Sequence, residues 1–126
     1  MTPLIVAAAV LAGGLAATVR YGVTRWVARR LPREQLTRAV LIVNVVGSAL
    51  AGVAIAFPSE VQYVLLGGFA GGLTTFSTWS VETIQLMNEG KSNAAVGNVV
   101  LNLALGLVAA VLAYAITLGI VGGVAG

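Results

Sequence analysis

The chain has 126 residues, of which 59% are hydrophobic and 9% charged, with a formal net charge of +3 and a mean hydropathy of +1.00. Soluble domains carry about 25% charged residues, so an ordinary soluble domain is excluded and a small integral membrane protein is indicated. Asp, His and Cys are absent, which excludes disulfides, Cys/His zinc sites and Ser-His-Asp or Cys-His catalysis; no enzyme is expected.

The pattern is that of an all-α membrane protein with one domain, 1–126, and four apolar spans. The first covers about 4–27. It lacks the basic start of a signal peptide and is too long for one. Gly13, Gly14 and Ala17 offer a small-residue face for close helix approach. Arg20 lies near the far end of this span. It either snorkels to the interface or lines a vestibule that draws anions inward.

A charged turn, Leu31-Pro32-Arg33-Glu34-Gln35, leads to the second span, 37–57. Gly47, Ala51 and Gly52 form its small-residue stripe. Asn44 is isolated in an apolar run, and Ser48 falls on the same face one turn later. Bridging to another helix is the favoured reading for Asn44 over a direct role with substrate. Pro58 ends the span, and Ser59 is expected to cap the next helix.

The third span, 60–87, is expected to break at 71–75, where two glycines meet a Ser/Thr cluster. Irregular backbone inside a membrane survives only when shielded by protein or water, and transport proteins put ion sites at such breaks. Phe76 and Trp79 lie three apart, hence on one helix face. Packing or lipid contact is the ordinary reading for them. The alternative is a small bare anion held against positive ring edges. After the turn 88–92 comes the fourth span, 93–121. Asn98 and Asn102 are four apart on it, so they form either a polar track or a pair of interhelical clasps.

None of the four acids, Glu34, Glu60, Glu82 and Glu89, is read as deep in an apolar run. The basic residues Arg25, Arg29, Arg30, Arg33, Arg38 and Lys91 fall in the two turns on one side of the spans, and the other side has none. The positive-inside rule then puts both turns in the cytoplasm and both termini outside, in a multi-pass cell (inner) membrane protein. Topology explains these arginines better than nucleic-acid binding. Four helices enclose little interior, so a dimer is expected to bury any polar pathway.

Gly-Gly-Leu-Thr-Thr-Phe-Ser-Thr at 71–78 with Glu82 beyond, Asn44-x-x-Gly47-Ser48, and Arg20-Tyr21 resemble the Fluc/CrcB fluoride channels. The order and spacing match over essentially the whole chain. The resemblance implies a passive, fluoride-selective channel that lowers cytoplasmic fluoride. It implies an antiparallel dimer with two pores and one sodium ion at the interface. On it, Gly71 and Thr74 offer backbone carbonyls to sodium, Phe76 turns a ring edge to fluoride, and Asn44 donates an amide hydrogen. Arg20 serves the vestibule, Ser77 and Thr78 wall the pore, and Ser48, Asn98 and Asn102 extend the polar track.

Several positions depart from the family pattern. Trp79 stands where Phe is usual, Asn98 and Asn102 where Tyr and Ser are common, and Val40 where Thr is common. The one-sided basic charge suggests a single orientation, and with it a heterodimer with an oppositely oriented homologue in place of a homodimer. The alternative is a small multidrug exporter, which needs a deep carboxylate in span one; there is none.

Overall fold

The computed structural model describes residues 2–125, with the side chains of residues 33, 34 and 123–125 outside the description. Arg33 of the basic turn therefore lies outside the described side chains. Helix α1 runs Pro3–Arg30. The Thr2 hydroxyl accepts from the Ile5 N–H at 3.3 Å, and Pro3 suits the first turn, where its missing N–H has no partner to lose. The helix stops at Leu31, whose backbone is extended, as the residue before a proline prefers.

Helix α2 spans Arg33–Ile55. Gln62 closes its end, with Nε2 donating to the carbonyls of Ile55 at 3.2 Å and Phe57 at 2.8 Å. A short helix α3, Ser59–Gln62, follows. Ser59 does not cap it. Pro58 holds the cap position with no side-chain bond, and Ser59 is the first helical residue. The fixed φ of proline starts the helix one residue earlier than a serine cap would.

The chain continues as a π-helical segment, Tyr63–Ala70, and a single turn α4, Gly71–Leu73. Thr74 and Thr75 are extended, and α5 then runs Phe76–Asn88. Its end is a Schellman turn: the Lys91 N–H reaches the Leu86 carbonyl at 2.9 Å and the Gly90 N–H reaches Met87 at 3.1 Å. Gly90 has φ +77° there, a conformation that lacks a steric penalty only without a Cβ. Helix α6, Ser92–Ala125, completes the chain.

Among the described residues, three helices, Pro3–Arg30, Gln35–Ile55 and Ser92–Gly122, are long and apolar enough to cross a membrane. Residues 59–88 form shorter pieces, so a fourth crossing would be made by several helices in series. Helix α6 packs chiefly on α2 and α5, and α1 on the π-helical segment and α4. The contacts are close because glycines remove side chains. A Cβ at Gly52 would run into the Ala110 carbonyl, one at Gly68 into Ala9, and one at Gly72 into Gly13. Gly14, a member of the predicted small-residue face of the first span, and Gly67 face open space. Ala16, Val43 and Leu73 form the small buried core, with Leu50 and Phe69 against it. The outer faces of α1 and α6 are largely exposed apolar side chains, as lipid contact requires.

Candidate functional site

The site is built where α2, α5 and α6 meet the extended pair Thr74–Thr75. Thr75 is buried and caps α5. Its hydroxyl accepts from the Thr78 N–H at 3.2 Å and donates to Thr78 Oγ1 at 3.0 Å. Ser77 Oγ lies 3.4 Å from the same hydroxyl. These three hydroxyls sit at the first turn of α5, where free N–H groups favour negative charge.

Asn44 projects from α2 to this turn. Its Oδ1 accepts from the Thr75 N–H at 2.9 Å, and its Nδ2 donates to Asn102 Oδ1 at 2.9 Å and the Thr75 carbonyl at 3.4 Å. Both Nδ2 hydrogens are thereby engaged within the protein. Asn102 Nδ2 in turn reaches the Asn98 carbonyl at 2.8 Å and Asn98 Oδ1 at 3.1 Å. Asn98 Nδ2 donates to Thr83 Oγ1 at 3.0 Å. The amides thus form one continuous line from the extended turn along α6 to α5. Asn98 and Asn102 are buried and fasten helices while doing so.

A groove of about 280 Å³ opens beside this line, with Asn44, Ser48, Thr75, Phe76, Trp79 and Asn102 among its walls. Gly106 of α6 packs against Ser48; a Cβ there would come 3.1 Å from Ser48 Oγ. Phe76 is 75% exposed, and its ring meets Trp79 edge-on, with centroids 5.4 Å apart at 64°. Trp79 Nε1 donates to the Asn98 carbonyl at 3.3 Å.

Gly71 is exposed and Thr74 half-buried. The Thr74 N–H and Oγ1 both donate to the Ala70 carbonyl at 3.1 Å, while the Thr75 N–H that would reach Gly71 in a continuous helix goes to Asn44. Among the described residues no three His, Cys, Asp or Glu gather. A hard cation here would depend on backbone oxygens. Arg20 is half-buried on α1, its Nε enclosed without a hydrogen-bond partner. It is not part of the wall of the Asn44 groove. Val40 is fully buried.

Two residues matter more than the sequence indicated. Thr75 is not among the site residues that the sequence singles out, although Thr75-x-x-Thr78 is a capping spacing. Glu82 is the other: it is only 5% exposed, and Thr37 Oγ1 donates to its Oε2 at 3.3 Å, so α2 and α5 enclose it although it does not lie deep in an apolar run.

A model of the family described as CrcB-like protein, Camphor Resistance (CrcB) matches residues 7–114. The chain is 41% identical over 117 residues to the fluoride-specific ion channel FluC of Pseudomonas fluorescens (strain Pf0-1), covering 86% of this chain and 92% of the relative. It is 40% identical over 104 residues to the fluoride-specific ion channel FluC 2 of Mycobacterium tuberculosis (strain ATCC 25618 / H37Rv), covering 81% and 82%. A FluC of Syntrophotalea carbinolica is 37% identical over 103 residues, covering 76% and 83%.

Proposed function

The chain belongs to the CrcB family, and we propose that it is a fluoride-selective passive channel that exports fluoride and lowers its cytoplasmic concentration. It is a multi-pass membrane protein and a transporter. The observation that carries the reading is the junction of Asn44, Thr75 and Asn102 beside an exposed Phe76, in a chain about 40% identical to proteins named as fluoride channels. Fluoride holds its water tightly, so a pore must offer donors in its place. The Ser77 and Thr78 hydroxyls and the Phe76 ring edge are such donors, and Asn44, whose two Nδ2 hydrogens rest on Thr75 and Asn102, serves by turning one of them to the anion.

The working unit in this reading is an antiparallel dimer. Its pores form where the open Asn44 grooves are closed by a second subunit. Residues 59–88 make a broken third crossing, with the extended pair near mid-membrane. A sodium ion bound by the Gly71 and Thr74 carbonyls would clamp the two breaks together, since Na⁺ takes oxygen ligands and unwound backbone supplies them. Arg20 attracts anions at the mouth. The basic turns are cytoplasmic, in the inner membrane of the cell. The second subunit is a second copy of this chain or an oppositely oriented homologue, and the placement of all six turn-borne basic residues on one side points to the homologue. The exporter alternative is not favoured, since α1 carries no acid.

The test is fluoride efflux from liposomes holding this chain alone, then with Phe76→Ile and Asn44→Asp. Fluoride flux with chloride nearly excluded is the expected result. Comparable chloride flux would defeat the donor-and-ring mechanism. Robust flux from a purified self-dimer would remove the need for a partner.

A further inference from the structure

Trp79 stands between two grooves. One carries Asn44, Ser48 and Asn102, and the other carries Thr83, Ile84 and Val99. Its indole N–H is already occupied, at 3.3 Å from the Asn98 carbonyl. Asn98 holds Trp79 a second time through Thr83. Asn98 Nδ2 donates to Thr83 Oγ1 at 3.0 Å, and Thr83 Oγ1 donates to the Trp79 carbonyl at 2.8 Å. The residue is thus fixed at its ring and at its backbone by one amino acid of α6. Asn98 is itself bonded to Asn102, and Asn102 to Asn44.

The other face of the indole region meets Phe76, edge-on at 5.4 Å. Phe76 is otherwise open, so Trp79 is the aromatic neighbour that limits its ring. An indole has a single N–H and no other donor. Once that donor is bound to the Asn98 carbonyl, the ring has no N–H left for an anion.

We propose that Trp79 is a positioning residue: fastened to Asn98, it holds the Phe76 ring edge-on and does not offer its N–H to the anion. This rests on the reading of Phe76 as a pore aromatic. Trp79, Thr83, Asn98 and Asn102 act as one unit. The indole needs the Asn98 carbonyl in reach, and the Asn98 amide needs Thr83. A phenyl ring at 79 would lack this N–H tether.

The test introduces meta-fluorophenylalanine at position 76 and replaces Trp79 by benzothienylalanine, which keeps the ring outline and lacks the N–H. Fluorine NMR reads the ring at 76, and liposome efflux reads transport. The parent is expected to give resolved signals for slowly exchanging ring states. The benzothienyl variant is expected to give one averaged signal, with fluoride efflux lower by about fivefold, the factor one neutral hydrogen bond carries. Thr83→Val cuts the second tie without altering either ring and should move both readouts the same way, so a poorly folding analogue does not end the test. Unchanged fluorine spectra in both variants would overturn the proposal whatever the flux, and so would averaged signals with full flux. A parent that carries no fluoride would sink the channel reading alone, and the spectra would still decide whether Trp79 sets the ring.

Discussion

Asn44 and Thr75 are bonded in both directions across two helices. The Asn44 Oδ1 accepts from the Thr75 N–H at 2.9 Å, and the Asn44 Nδ2 donates to the Thr75 carbonyl at 3.4 Å. In an unbroken α-helix that N–H would bond four residues back, to Gly71. A carboxamide offers the same donor and acceptor as a peptide group. It therefore replaces the lost helical bond from the side, with no water needed. The extended turn is held open by α2 as much as by its own threonines.

Asn44→Asp tests this directly. The carboxylate keeps an acceptor for the Thr75 N–H but has no hydrogen for the Thr75 carbonyl or for Asn102 Oδ1. Each acceptor left unmatched costs about 1–3 kcal/mol, and a charge enters a poorly solvated place. Fluoride efflux in liposomes is expected to fall by more than about tenfold, the factor for 1.4 kcal/mol. The circular dichroism should remain helical. Undiminished flux would show that the two-way bond is dispensable.

Close helix contact makes a second prediction. Gly52→Ala puts a methyl group against the Ala110 carbonyl at the α2–α6 crossing, whereas Gly14→Ala points into open space. Overpacking a tight contact costs about 1–3 kcal/mol, and an exposed change about 0.5 kcal/mol or less. Thermal melting in detergent should therefore show a lowered midpoint for Gly52→Ala and an unchanged one for Gly14→Ala. Equal midpoints would mean that α2 and α6 do not approach as closely as described.

The long helices were legible because apolar runs bounded by Pro and charged turns leave few alternatives. The importance of Asn44 was legible because an amide stands out among Leu, Ile and Val. Its partners were not. They depend on how α2 and α6 are rotated about their axes, and the stripe of Asn98 and Asn102, though visible on an otherwise apolar helix, does not say which neighbour it meets. The π-helical segment 63–70 was not legible either, since Val, Leu, Gly and Phe suit an α-turn equally well. The burial of Glu82 was not legible for a related reason: distance along a span does not reveal a helix packed against it. Small residues predicted close approach in general, yet Gly13 and Gly14 differ in whether a neighbour lies within reach, and only the packing separates them.

Gly90→Ala examines the turn before α6. Gly90 is the one described residue at positive φ, and an alanine there adopts a backbone state that costs about 1–2 kcal/mol. Open space surrounds the position, so the penalty is conformational and not steric. Gly90→Asn should lose less, because Asn tolerates this region. Melting curves should rank wild type above Asn and Asn above Ala, with fluoride efflux equal in all three at room temperature. A drop in efflux would mean that the turn, far from the Asn44 groove, feeds the site.

Thr75 allows the cap and the backbone bond to be separated. Thr75→Val keeps the N–H that Asn44 accepts and keeps the β-branched shape, but removes the hydroxyl that caps α5 and joins Thr78. Losing such a cap costs about 1 kcal/mol. Thr75→Ser keeps the hydroxyl and loses only a methyl group. If the hydroxyl cluster replaces part of the water around a passing fluoride, Val should slow efflux well beyond its effect on melting, and Ser should restore efflux. If the hydroxyl serves only as a cap, the Val variant should melt earlier and conduct normally at a temperature where it is still folded. Comparing efflux with melting in the same liposome preparation separates the two roles, because a capping loss acts through the folded fraction alone.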